Sequence, residues 1–361
     1  MGILRLYLAL CVVFVHARIP TYWTIHDGTQ AVQIFFMISG FYMQLIWGKY
    51  ANVRSFWASR FSRIYIPYFV CLFIAAIAMV ALGRTGWPSA IFENVQASQL
   101  SNLLLSATNF TLIGMEQTLF VEDTSKQNLL IIPQAWTVAL EIYFYLLVPF
   151  LAGKRDRVIW LVFAVSLGLR IACYQFLDLT YDPWVYRFFP FELALFSAGM
   201  LCCRYRHQLS IHLEFPKANL RYFSYCVAAL IGFWVLRKSV SLGFRFLDYH
   251  YLALLSYIPW MVALPTLFAM TKKNQLDRFI GELSYPVYLI HMVPIAIAPA
   301  LLGNQSQFTG YFIVSMTIGL SLLVLRFVVH PLDKWRLRFA PAAVPLQEPS
   351  QDPLITETSP S

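Results

Sequence analysis

Charge is scarce in this sequence: 12% of its 361 residues are Asp, Glu, Lys or Arg, against about 25% in an average soluble domain. A chain that is 59% hydrophobic, with a mean hydropathy of +0.60, cannot cover its apolar surface with so few charges. An ordinary soluble globule is therefore excluded. Signatures of several common chemistries are also missing, since no P-loop, Rossmann fingerprint or metal-ligand spacing occurs. Cys11, Cys71, Cys173, Cys202, Cys203 and Cys226 lie in or beside apolar runs. They read as small core residues, and neither a disulfide nor a metal site is expected. There is no separate basic domain behind the net charge of +9. Its cations fall in short segments between apolar runs, which removes nucleic acid as a partner and leaves membrane topology as their meaning. A small-x-small cleavage site is missing from the first apolar run, where His16 and Arg18 stand instead. That run is expected to stay as a helix.

What is present is a series of apolar spans at 3–20, 30–47, 64–83, 134–152, 158–176, 188–203, 219–236, 250–270, 279–302 and 310–329. Each is near the length of about 20 residues that crosses a bilayer, with tilt absorbing the difference. The 30 Phe, 20 Tyr and 10 Trp residues suit helices anchored at both interfaces. An all-α polytopic membrane helical bundle of about ten transmembrane helices is the expected fold. Placing both termini in the cytoplasm gathers most cations on that side: Lys49, Arg54, Arg60 and Arg63; Lys154, Arg155 and Arg157; Arg204, Arg206, Lys217 and Arg221; Lys272, Lys273 and Arg278; Lys334, Arg336 and Arg338. The transmembrane domain is expected over 1–339. Residues 340–361, with Pro341, Pro345, Pro349, Pro353 and Pro360, read as a disordered cytoplasmic tail.

Within the first span Arg5 and His16 are eleven residues apart, so on a helix they share one face about 16 Å apart. An ionisable side chain there costs about 3 kcal/mol and normally faces a polar interior. Two readings fit: a stripe lining a cavity, or an arginine snorkelling to the interface with a histidine bonded to a neighbouring helix. Residues 51–64 are expected to form an interfacial helix whose apolar arc of about 140° holds Val53, Phe56, Trp57, Phe61 and Ile64. Arg60 projects from the middle of that arc. It and Arg63 are expected to meet an anionic group within the protein, lipid phosphate being the alternative. The connection 84–133 is the longest, and Leu100 to Phe120 within it reads as a re-entrant or lid segment. Further ionisable residues in the spans are Glu141, Arg170, Glu192, His291 and Arg326, with His330 just beyond the last. Ser284, Tyr288 and His291 are spaced to share one helix face. For the serine and tyrosine, interhelical hydrogen bonding is favoured over catalysis.

These pieces form an ordered set of motifs: Arg5-x10-His16; Phe35-Phe36-x-x-Ser39-Gly40-Phe41; Arg60-x-x-Arg63-Ile-x-x-Pro67; Trp136-Thr-x-x-x-Glu141-x-x-Phe144-Tyr145 with Pro149; and Gly281-x-x-Ser284-Tyr285-x-x-Tyr288-Leu289-x-His291. In this the chain resembles the acyltransferase family 3 membrane proteins, which move acetyl or related acyl groups onto bacterial surface polysaccharides and other acceptors. It departs from them at Gln33, where members often carry Asp, at Ala31, where they carry Gly, and at His330, where an acidic residue before proline is common. A carboxylate role at 330 is thereby removed, and a charge role at 33 is put in question. The esterase-like extramembrane domain that some relatives carry is not expected here.

The resemblance implies O-acyl transfer, O-acetyl first, from cytosolic acyl-CoA to a hydroxyl of a surface polysaccharide, exopolysaccharide or lipid-linked precursor at the bacterial inner membrane. It makes His16, Arg5 and Glu141 the catalytic candidates. His16 would act as general base, because a neutral imidazole accepts a proton near pH 7, or would carry the acyl group itself. Arg60 and Arg63 would grip the phosphates of the donor through guanidinium forks, and Arg5 would extend that grip or polarise the thioester carbonyl. Glu141 would orient a catalytic group or bind the sugar. Ser39, Trp136, Tyr288 and His291 would line the substrate path. No permanently bound cofactor is expected; acetyl-CoA or another acyl-CoA is a donor substrate. The expected partners are acyl-CoA, a carbohydrate acceptor, the lipid bilayer and polysaccharide-assembly proteins. A multi-span transporter and a non-catalytic scaffold of a polysaccharide-assembly complex are the rival readings. The first should show paired interrupted helices in two related halves, and no internal repeat is visible.

Overall fold

The computed structural model describes residues 1–19, 27–83, 99–119, 130–206, 208, 224–225, 227–232, 234–235, 249–302 and 308–337. Its helices are α1 (Gly2–His16), α2 (Gly28–Ile46), α3 (Val53–Ala81), α4 (Gln99–Thr111), α5 (Trp136–Leu151), α6 (Asp156–Leu177), α7 (Trp184–Arg187) and α8 (Phe189–Arg204). They continue as α9 (Tyr249–Leu255), α10 (Ile258–Thr271), α11 (Gln275–Ile290), α12 (Met292–Leu302) and α13 (Phe308–Val324), which passes through a π-helical turn, Leu325–Val329, into α14 (His330–Leu337). No strand occurs among the described residues. Side chains cap three of the helix starts: Asp27 accepts from Gln30 N at 2.7 Å, Asn52 from Ser55 N at 2.8 Å and Asn274 from Asp277 N at 3.1 Å.

Among the described residues, seven helical stretches are long and apolar enough to cross a membrane, and they cover the spans expected at 30–47, 64–83, 134–152, 158–176, 188–203, 250–270 and 310–329. The pair α11 and α12, bent by 63°, makes an eighth where the two are taken as one broken span. Pro294 explains the break at His291: it has no N–H for the carbonyl of Ile290, and its ring crowds that carbonyl. α1 is a shorter apolar helix of 15 residues. Of the expected span 219–236, residues 224–225, 227–232 and 234–235 are described and helical, while the tail 340–361 lies wholly outside the described residues. Large apolar side chains face outward along the bundle, among them Phe73, Leu161, Phe176 and Phe327, as lipid requires.

Two features differ from expectation or refine it. The interfacial helix expected at 51–64 is not separate: α3 runs unbroken for 29 residues with Pro67 inside it, so Arg60 and Arg63 belong to the same rod as the span. In the long connection, α4 docks its end halfway along α3, where Tyr68 donates to the Asn109 carbonyl at 2.7 Å. Leu112 and Met115 then enter the bundle fully buried. Buried Glu116 accepts from the Tyr143 hydroxyl at 2.8 Å. A segment that goes in and ends on mid-helix tyrosines is re-entrant in form.

Glycines set the helix spacing. α2 and α8 run parallel, and a Cβ on Gly40 would stand 1.9 Å from the Phe196 carbonyl oxygen, while one on Gly199 would stand 1.9 Å from that of Met37. Each glycine thus meets the carbonyl three residues before the other. This close approach favours Cα–H···O contacts and suits helices that associate in lipid through small residues. α1 and α11 also run parallel, and a Cβ on Gly2 would run into the Asp277 carbonyl, while one on Gly281 would stand 2.7 Å from the Gly2 Cα. A Gly199→Ile substitution would have to separate two backbones. It is expected to abolish the monodisperse peak in size-exclusion chromatography of the detergent-extracted protein, and a peak at wild-type yield would contradict this packing.

One turn or two from that crossing lies a buried polar knot. Arg170 pairs with Glu192, both almost without exposure. Gln33 donates to the two Glu192 oxygens at 3.0 and 3.2 Å and accepts from Tyr257. An Asp at 33 would set a second carboxylate against Glu192 with one arginine between them, so the amide keeps the knot neutral. Breaking a buried pair from one side costs about 3–5 kcal/mol. Arg170→Met should lower thermal stability by that order, and adding Glu192→Gln should recover much of it, as read by thermal unfolding in detergent.

Candidate functional site

α1 carries an ionisable side chain near each end, and its neighbours give the two ends different surroundings. The helix is pinned first. The Asp277 carboxylate accepts from Gly2 N at 2.7 Å and Ile3 N at 2.9 Å, satisfying amides that a helix start leaves open. With Gly2 pressed on Gly281, this fixes α1 against α11 along its length.

At the Arg5 end, Arg63 stands within electrostatic reach of both Arg5 and Arg60. Arg5 is partly exposed and stands within electrostatic reach of Arg63, Glu141, Tyr42 and Tyr145. Glu141 accepts from Ser39 Oγ at 2.7 Å and from the Tyr145 hydroxyl at 2.5 Å. Arg60 is 7% exposed. It bonds the Tyr50 hydroxyl at 2.7 Å and Ser59 Oγ at 3.3 Å, and its guanidinium lies 5.7 Å from the centre of the Tyr50 ring. Its Nε has no hydrogen-bond partner among the described residues. The anionic protein group expected for Arg60 is therefore replaced by a tyrosine that fixes its direction, and Arg60, Arg63 and Arg5 outnumber the carboxylates of Glu141 and Asp277 at this end of α1. Such a surplus suits a phosphorylated or otherwise anionic ligand.

At the other end His16 is exposed, and its Nδ1 lies 3.0 Å from Nε2 of His291, which has no exposure. The rings are tilted by 19° with centres 5.1 Å apart. An in-line N–H···N bond of that length places imidazole centres about 5 Å apart, so the rings meet edge to edge and are not stacked face on face. His291 stands at the break between α11 and α12, and its Nδ1 is 2.8 Å from the Tyr288 carbonyl. The Tyr288 hydroxyl donates to the Gln134 carbonyl at 2.6 Å and accepts from Thr137 at 2.7 Å. That buried hydroxyl braces α11 against the start of α5, the interhelical role favoured from sequence. Ser284 bonds the Gly281 carbonyl of its own helix at 2.7 Å, so neither hydroxyl is turned to a substrate. Trp136 is 5% exposed, with the Arg187 guanidinium 4.4 Å above its ring and Tyr186 against it edge-on. Its face is already covered.

The sequence-predicted residues thus fall into two groups joined by α1: Arg5, Arg60, Arg63, Ser39 and Glu141 at one end, and His16, His291, Tyr288 and Trp136 at the other. Three neighbours were given no role by sequence reasoning. Tyr145 follows Glu141 by four residues, a spacing at which helix side chains touch, so that signal was present. Arg187, within electrostatic reach of His16 and paired with Asp182 at 2.6 Å, reads in sequence only as one more cation. Asp277 gives no sign of capping a helix 275 residues away in sequence.

A helical membrane protein whose first helix links an arginine cluster to a histidine pair has the parts for moving an anion-carried group at a membrane. The chain belongs to acyltransferase family 3: the family's profile, that of an acyltransferase domain, matches residues 1–326. The protein is a membrane acyltransferase. No curated protein and no solved structure matches it.

Proposed function

We propose that this acyltransferase moves an acetyl or related acyl group from cytosolic acyl-CoA to a carbohydrate hydroxyl, on a surface polysaccharide, exopolysaccharide or lipid-linked precursor at the bacterial inner membrane. The observation that carries the reading is the arginine cluster and the histidine pair at opposite ends of one helix. A thioester is already activated, so the protein must hold the donor, take a proton from the hydroxyl and stabilise the oxyanion. Arg60 and Arg63 hold the CoA phosphates, and Arg5 reaches the donor from the same side. The acceptor oxygen attacks the thioester carbon as its proton passes to His16. The tetrahedral oxyanion then re-forms the carbonyl, the C–S bond breaks, and the thiolate takes the proton from His16. Glu141, held by Ser39 and Tyr145, keeps the arginines in place beside the donor.

The test uses purified protein in proteoliposomes with acetyl-CoA labelled in its acyl group and an oligosaccharide acceptor. Acceptor-dependent release of CoA with label in an alkali-labile ester is expected. Uptake of the sugar without any donor, and no ester, would favour a transporter instead.

A further inference from the structure

We propose that His291 is a positioning residue that holds His16 in one tautomer, with the proton on Nδ1 and the lone pair of Nε2 presented to the acceptor hydroxyl. The inference rests on the reading of His16 as the proton acceptor. A carbonyl oxygen can only accept, so the 2.8 Å contact to Tyr288 requires a proton on His291 Nδ1. With one proton on each ring, His291 Nε2 is then an acceptor. No carboxylate pairs with His291 among the described residues, and a buried charge without a partner costs several kcal/mol, so one proton per ring is the arrangement that fits. The 3.0 Å contact must in turn run from His16 Nδ1–H to His291 Nε2. The remaining nitrogen of His16, across the ring, carries a lone pair that no described residue engages.

The order of bonds is therefore fixed from the backbone outward: Tyr288 carbonyl, His291, His16, acceptor. The 63° break between α11 and α12 puts His291 where this is possible. Tyr288 is itself tied to Gln134 and Thr137 on the α5 side, so three elements hold the relay. When His16 takes the acceptor's proton on Nε2, its Nδ1–H keeps the same bond, and the positive charge is shared with a ring that accepts it. No other described side chain is bonded to either imidazole. Arg187 reaches His16 only electrostatically, and it cannot accept a proton.

Two measurements test this. In nanodisc-embedded protein with 15N-labelled histidine, one ring assigned by His16→Gln should show a protonated Nδ1 and a bare Nε2, with an N–H···N coupling to a second ring that disappears in His291→Gln. His291→Leu should lower kcat about 100-fold or more with little change in KM for acyl-CoA, since a triad that loses its tautomer-fixing partner suffers losses of this kind and larger. His291→Gln, whose side-chain oxygen can stand where Nε2 stood, should recover at least tenfold of that loss, and His291→Asn, which is too short, should not. A proton on His16 Nε2, or equal kcat in the Gln and Asn variants, would overturn the proposal even if His16 is essential. Full transfer by His16→Ala would overturn the underlying assignment and leave the nitrogen signals as they are. If the Leu variant does not fold, the wild-type spectrum and the Gln–Asn comparison still decide.

Discussion

His16→Ala should lose acyl transfer by about three orders of magnitude or more while inserting and folding like the wild type. General base catalysis contributes about 10²–10⁴-fold, and any acyl-histidine route would be lost with it. Folding should survive because His16 is exposed at the end of α1, while the helix is fixed by Asp277 and by the Gly2–Gly281 approach at its start. A small stability loss is expected, because the buried Nε2 of His291 is left without its donor, at about 1–3 kcal/mol. Transfer rates of purified protein in proteoliposomes, beside a size-exclusion profile, read both effects. A folded variant with near-normal transfer would remove His16 from the mechanism.

The second large effect concerns the donor. Charge-assisted hydrogen bonds are worth about 1.5–3 kcal/mol each, so Arg63→Ala should raise KM for acyl-CoA about 10–100-fold. The partly exposed Arg63 makes no protein hydrogen bond among the described residues, which leaves its guanidinium for a ligand. Arg60→Lys should have a comparable effect for a different reason. Lysine keeps the charge but loses the planar fork that Tyr50 and Ser59 hold in place. Because each variant leaves His16 and its partner in place, kcat should change less than KM. An unchanged KM in both variants would take the two arginines out of the donor site.

Much of this arrangement can be read from the chain and some of it cannot, for physical reasons. The eleven-residue spacing of Arg5 and His16 fixes their shared face because helix geometry is local, and the apolar spans are local too. The unity of α3 was hidden because a polar run followed by an apolar run reads as two elements, although nothing between Arg60 and Pro67 ends a helix and Pro67 sits inside one. Contacts between distant segments leave no local mark. Nothing near His291 announces that it meets His16, 275 positions away, or that Arg170 and Glu192 cancel one another. Gly40 and Gly199 each follow a polar residue, Gln33 and Glu192, by seven positions. That matched spacing hints at the α2–α8 pairing, but only the fold brings the two segments into register.

The central claim is that the protein esterifies a carbohydrate through His16, and the most direct test is mass spectrometry of the cell's glycans. Cells carrying the wild-type chain, His16→Ala and no chain would be compared. An acyl ester found on a glycan only with the wild type, its mass naming the acyl group, is the predicted result. Equal ester content in all three strains would contradict the account.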